Sequence, residues 1–137
     1  MTLLTPEPSQ PVPDEILVVD DDADIRETLV EVLEFEGYVV VGAANGKEAL
    51  EQLRRRPVSV ILLDLMMPVM DGFEFRTAQL DDPRLSDIPV VVVSAGGRCE
   101  QAAMEMGAAG CFRKPIDVLA LLRMIRAVSR APAAPAT

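Results

Sequence analysis

The sequence predicts an α/β fold: a doubly wound, five-stranded parallel sheet with helices on both faces. Three observations lead there. Five short runs rich in Val, Ile and Leu alternate with five segments of helical spacing. The runs are apolar at successive rather than alternate positions, as strands buried on both faces require. Four of the five end in polar residues, the pattern of an open parallel sheet whose carboxyl edge carries a site.

Each element has its own local reason. Glu15-Ile-Leu-Val-Val19 is the first strand and ends in Asp20-Asp21-Asp22, after which Ile25, Leu29, Val32 and Leu33 set a helical stripe that Glu36-Gly37 closes. Tyr38-Val-Val-Val-Gly42 is the second strand. Asn45-Gly46 opens a helix carrying Ala49, Leu50 and Leu53, and Pro57 ends it. The third strand starts at Val58 and runs into Asp64, followed by Pro68 and the turn pair Asp71-Gly72. Phe73 to Leu80 reads as a helix, then Asp81-Asp82-Pro83 and Ser86-Asp87 as a loop, then Ile88 to Val93 as the fourth strand, ending at Ser94-Ala95-Gly96-Gly97. A helix from about Glu100 to Met106 stops at Gly107. A short strand, Gly110 to Lys114, precedes Pro115, and the last helix, Asp117 to Arg130, carries Val118, Leu121, Leu122, Ile125 and Val128 on one stripe. Flavodoxin-like strand order 2-1-3-4-5 is the economical way to wind these units.

At 137 residues and 50% apolar the chain holds one domain with a full core. The domain is expected over 14–130, between a flexible arm of residues 1–13, with prolines at 6, 8, 11 and 13, and a flexible Ala/Pro tail of residues 131–137. A net charge of −9 with scattered Lys and Arg argues against direct nucleic-acid binding. The chain has no His, which removes His-based catalysis and His-ligated zinc. Cys99 and Cys111 lack CxxC spacing and read as free thiols in a reducing compartment. With no signal sequence and no run of membrane-spanning length, a cytoplasmic protein without a membrane partner is expected. GxxxxGK[ST] and GxGxxG are both absent, against a nucleotide enzyme.

The strand ends carry the chemistry. Asp20, Asp21 and Asp22 follow the first strand, Asp64 the third, Ser94 the fourth and Lys114 the fifth. Carboxylates within about 4 Å repel by roughly 4 kcal/mol per pair at an effective dielectric near 20, so the cluster calls for a hard cation such as Mg²⁺ or Mn²⁺. Neutralising Asp20 or Asp21 is then expected to stabilise the metal-free chain. A carboxylate can attack a phosphoryl group while a metal and an ammonium neutralise its oxygens and a hydroxyl donates to one of them. Asp64, Lys114 and Ser94 supply the carboxylate, the ammonium and the hydroxyl. Asp22 reads as an N-cap and Asp71 as a turn and helix-start residue.

Taken together, Ile-Leu-Val-Val-Asp20-Asp21, Leu-Leu-Asp64-Leu-Met-Met-Pro68 with Asp71-Gly72, Val-Ser94-Ala95 and Lys114-Pro115 resemble the receiver domain of two-component response regulators, of the single-domain, chemotaxis-regulator-like kind. The resemblance covers about Asp14 to Arg130. It implies Asp64 as phosphoryl acceptor, Asp21 as direct metal ligand, Asp20 acting largely through water, and the Met66 carbonyl as a backbone ligand. It further implies that Ser94, the Ala95 backbone and Lys114 hold phosphoryl oxygens, with a cis Lys114-Pro115 peptide aiming the lysine. The implied donor is a phosphohistidine on a histidine kinase or histidine phosphotransfer protein, and the chain would be a signalling switch rather than an enzyme. Output through a docked protein rather than an appended effector domain is expected, on the face of the fourth helix, fifth strand and fifth helix.

The pattern departs from the family in three places. Cys111 stands where receivers usually carry Tyr or Phe three residues before the Lys, and strand alternation turns Phe112 to the opposite face. The interval from Ser94 to Lys114 is about two residues short, so an abbreviated or irregular loop or helix is expected there. Met66 and Gly96, at positions that often orient the hydrolytic water, offer no side-chain hydrogen bond, which implies a long-lived phosphoryl group. Two other readings stand beside this one: a receiver-like binding module that works without phosphorylation, and a haloacid-dehalogenase-like phosphatase using Asp20-Asp21-Asp22. The second would need acids beyond Lys114, where only Asp117 follows.

Overall fold

The structure is a computed structural model and describes residues 15–130, so the expected arm and tail lie outside the described residues. Strands β1 (Glu15–Val19), β2 (Val39–Ala43), β3 (Val60–Leu63), β4 (Val90–Ser94) and β5 (Gly110–Arg113) alternate with helices α1 (Ala23–Phe35), α2 (Gly46–Arg55), α3 (Gly72–Leu80), α4 (Cys99–Met106) and α5 (Val118–Arg130). The strands pair in parallel in the order β2-β1-β3-β4-β5, as the sequence predicts.

Strand alternation divides the core into two halves. Leu17, Val19, Ile61, Leu63, Val90 and Val92 point to one face and meet Leu50 and Leu53 of α2, Phe75 of α3 and Ala102 and Met106 of α4. Ile16, Val18, Val60, Leu62, Val91 and Val93 point to the other and meet Leu29 and Leu33 of α1 and Leu121, Leu122 and Ile125 of α5. Burying each such side chain contributes about 1.5–3 kcal/mol, which makes the central strands the most firmly held part of the chain. A sheet so held gives the strand ends fixed positions.

The element ends follow local chemistry. Past α1, Gly37 adopts φ 97, and Tyr38 N–H and Gly37 N–H donate to the Leu33 and Glu34 carbonyls at 3.2 and 3.0 Å, a Schellman stop. Asp22 caps α1 by accepting from Asp24 and Ile25 N–H. Asp71 and Glu74 form a reciprocal capping box at α3. Both aspartates therefore do what the sequence assigns them. β3 begins two residues later than expected, at Val60. β4 likewise begins at Val90, because Pro89 has no N–H to give the ladder and only its carbonyl accepts, from Ile61. Val118, expected on the buried stripe of α5, is 37% exposed at the first position of the helix. Between Ser94 and Lys114 lies α4, the shortest described helix, whose N-terminus has no side-chain cap.

Candidate functional site

The sheet register places the site. Val19 pairs with Leu63, so Asp20 and Asp64 emerge side by side from adjacent strands. Each functional residue continues its ladder by one bond: Asp20 N–H to Ala43 O, Asp64 N–H to Val19 O and Lys114 N–H to Ser94 O, all at 3.0 Å. Four neighbouring strands thus deliver Asp20, Asp64, Ser94 and Lys114 to one edge. Gly72 guards the same spot: a Cβ there would lie 2.6 Å from the Asp64 carbonyl oxygen, so only glycine admits the start of α3 this close to the third strand.

Asp20, Asp21 and Asp64 can each offer a carboxylate oxygen within 4.8 Å of the others. Asp20 and Asp64 are buried, 2% and 5% exposed, whereas Asp21 faces solvent. The Lys114 ammonium donates to Asp20 Oδ2 at 2.8 Å and to Asp64 Oδ2 at 3.4 Å. Burial first, and then the Asp20 charge, push the Asp64 carboxyl up to about 6, while Lys114 and the Met66 backbone N–H, both donating to it, act in the opposite direction. Burial works against the Lys114 charge, but the bond to Asp20 and the Asp64 charge outweigh it and raise the lysine. Three carboxylates against one ammonium leave excess negative charge on hard oxygen donors, a set that suits Mg²⁺ or Mn²⁺.

Ser94 is buried at 2%, and its Oγ accepts from Gly96 N–H at 3.3 Å. Ala95 is exposed at the mouth of the site, and Met66 is 74% exposed beside Asp64. The Lys114-Pro115 peptide is cis. Asp22 stays outside the acid cluster. Asp117, the acid a phosphatase would need, accepts from Ala120 N–H at 3.1 Å at the start of α5. Cys111 packs on the α2–α4 face and Phe112 on the α1–α5 face, as alternation predicts.

Sequence reasoning missed Arg76 and Gln79. Both are buried in α3, where Arg76 donates to the Met106 and Gly107 carbonyls at the end of α4 and to Gln79 Oε1, and Gln79 donates to the Leu85 and Ile88 carbonyls. No spacing signal marks them, because their partners lie up to 31 residues away. Arg26 was also unmarked, and it donates to the Asp20 carbonyl at 2.7 Å.

Acids and a lysine gathered at the carboxyl edge of a 2-1-3-4-5 parallel sheet define an α/β signalling domain of the receiver type. The model of the response regulator receiver domain matches residues 16–126, and the chain belongs to that family. An uncharacterised 14.6 kDa protein of Leptolyngbya boryana is 40% identical over 114 residues, spanning 82% of this chain and 87% of its own length. Response regulator PleD of Caulobacter vibrioides is 42% identical over 118 residues, which is 84% of this chain and 26% of PleD. The solved chemotaxis protein CheY4 of Vibrio cholerae matches with a TM-score of 0.78 at 32% identity, covering 85% of this chain and 99% of that one. The chain spans about half the length of several other curated relatives, 52% for response regulator RR06 of Streptococcus pneumoniae. Membership makes this domain a phosphorylation-dependent signalling switch rather than an ordinary enzyme. Among the described residues no helix is long and apolar enough to cross a membrane.

Proposed function

We propose that Asp64 accepts a phosphoryl group from a phosphohistidine on a partner histidine kinase or histidine phosphotransfer protein, and that the change in Asp64 alters the contacts of this domain with an output protein. The observation that carries this reading is the buried Asp64 carboxylate beside Asp20, Asp21 and a lysine 3.4 Å away. An Asp64 oxygen attacks phosphorus, the P–N bond of the donor breaks, and its electron pair leaves with the imidazole, which takes up a proton. The missing His agrees with a donor in trans.

The chain's own groups divide the work. Asp21 directly, Asp20 largely through water, Asp64, and the Met66 carbonyl would hold Mg²⁺ or Mn²⁺. When bound, the ion neutralises charge on the carboxylates and on the phosphoryl oxygens. Lys114, now shared between Asp20 and Asp64, pairs with a phosphoryl oxygen, and Ser94 Oγ and the Ala95 N–H donate to others. A groove of about 580 Å³ beside Lys114, lined by Ile25, Thr28, Leu29, Pro115 and Ile116, gives the donor an apolar surface next to the acceptor. Exposed Met104 on α4 and Leu119 on α5 support the face of α4, β5 and α5 as the output surface, in a cytoplasmic protein.

The test is intact mass after incubation with a small phosphodonor and Mg²⁺, for the parent and for Asp64→Asn. One added phosphoryl group that requires Mg²⁺ and vanishes in Asp64→Asn is the expected result. An unlabelled parent, under conditions that label another receiver, would favour the phosphorylation-independent module.

A further inference from the structure

The two cysteines of the chain are twelve residues apart in sequence, and their side chains meet in the fold. Cys99 opens α4 and is 1% exposed; Cys111 is the second residue of β5 and half-buried. Cys111 lies opposite Val92 in the β4–β5 ladder and packs on the core half to which Cys99 belongs. The Cys99 thiol is pushed up to about 12, first by burial and then by its hydrogen bond with Cys111 and the charge of that group.

Two further features bear on this pair. Arg113, on the same side of β5 as Cys111, donates to Glu100, the neighbour of Cys99, at 2.9 Å, so the first turn of α4 is already tied to this strand. A cavity of about 450 Å³ running from Ser94 past Gly96 and Gly97 has Cys99 in its lining, so the core is not closely packed on that side of the thiol.

We propose that Cys99 and Cys111 are a modification site, a dithiol that oxidises reversibly to an intramolecular disulfide, with a low-molecular-weight disulfide such as oxidised glutathione as the oxidant. The Cys111 thiolate attacks one sulfur of the oxidant, breaking its S–S bond and releasing one glutathione thiolate. The Cys99 thiol then gives its proton to solvent and attacks the Cys111 sulfur, forming the Cys99–Cys111 bond and releasing the second glutathione. Two protein thiols lose two electrons and one disulfide gains them. Cys111 attacks first because it is the more accessible, and Cys99 resolves the mixed disulfide because it is the neighbour. The bond closes the chain around α4 and fixes its first turn, directly after the loop that follows Ser94.

The sequence makes the experiment simple, since trypsin cuts after Arg98 and Arg113 and leaves both cysteines in one peptide. The folded protein is incubated with oxidised glutathione, remaining thiols are alkylated, and peptide 99–113 is weighed. The expected peptide has lost two hydrogens, carries no alkyl group, and returns to a doubly alkylated form if reduced first. Cys99→Ser is expected to stop with one glutathione on Cys111, and Cys111→Ser to leave Cys99 unmodified. A parent that stops at a glutathione adduct on Cys111 while Cys99 stays alkylatable overturns the proposal, as does a disulfide-linked dimer. These readings do not depend on phosphorylation of Asp64.

Discussion

Lys114 is 2.8 Å from Asp20 and 3.4 Å from Asp64, so the ammonium aimed at the acceptor is held first by the neighbouring acid. Removing it leaves two buried carboxylates facing each other. Lys114→Met is expected to destabilise the metal-free protein by about 2–4 kcal/mol, because an uncompensated buried charge costs more than the pair contributes. Mg²⁺ should restore proportionally more stability to this variant than to the parent. Thermal melts with and without Mg²⁺ check both, and a metal-free variant as stable as the parent would contradict the ion-pair argument.

The same geometry separates Asp21 from Asp20. Neutralising either relieves repulsion, but Asp20→Asn also removes the charge from the 2.8 Å bond to Lys114, which offsets the gain. Asp21 is exposed and takes no part in that bond. Asp21→Asn should therefore stabilise the metal-free protein, by no more than about 0.5 kcal/mol because the residue is exposed. In the parent, Mg²⁺ at a hundredfold excess over its dissociation constant adds about 2.7 kcal/mol, a rise of roughly 10 °C in melting temperature. Loss of that rise in Asp21→Asn is the expected result, and a melting temperature indifferent to Mg²⁺ in the parent would remove the metal from the reading.

Asp64 sets a pH dependence of definite sign. Its carboxyl is raised from 3.8 to about 6, so between those values the folded metal-free state binds more protons than the unfolded one. Stability contributed by this group is therefore present at low pH and lost as pH rises towards about 6, with roughly 2–3 kcal/mol forfeited above it. Asp64→Asn carries no such penalty. The stability advantage of Asp64→Asn over the parent should grow from about pH 4 to pH 6 and then level off, as denaturant titrations across that range can show. An advantage independent of pH would mean that Asp64 titrates normally.

The parts of the site that could be read in the sequence are those that the strands themselves place. Asp20, Asp64, Ser94 and Lys114 follow apolar β-branched runs, and a parallel sheet brings such ends together whatever the loops do. Asp22 and Asp71 were legible as caps because capping is local. Arg76 and Gln79 were not, since a polar residue within an amphipathic helix looks like surface until its partner is known. Their bonds to the ends of α4 and to the Leu85–Ile88 turn exist only in three dimensions.

That network makes Arg76 a strut between α3 and the C-terminal end of α4. Burial lowers its pKa, yet a guanidinium stays charged in proteins, and among the described residues its charge is met by carbonyl and amide oxygens. Arg76→Met keeps the volume but leaves the Met106 and Gly107 carbonyls and Gln79 Oε1 without this donor. A loss of about 2–4 kcal/mol is expected. Hydrogen exchange should quicken in α4 more than in α1, and uniform quickening would deny the strut.

Met66 and Gly96 bear on how long a phosphoryl group on Asp64 would last. Met66 is 74% exposed, and its thioether offers only a weak acceptor beside the acid. Gly96 has no side chain, and its N–H is engaged with Ser94 Oγ. Neither side chain is suited to orient a water for attack on phosphorus, so a slow hydrolysis is expected. Met66→Asn places a donor and an acceptor at the mouth of the site without touching the buried core. A water-orienting hydrogen bond worth about 1 kcal/mol in the transition state corresponds to roughly a fivefold shorter lifetime. Following loss of the labelled mass with time in both proteins measures this directly. A parent that loses its label within seconds would show that water is oriented by some other group.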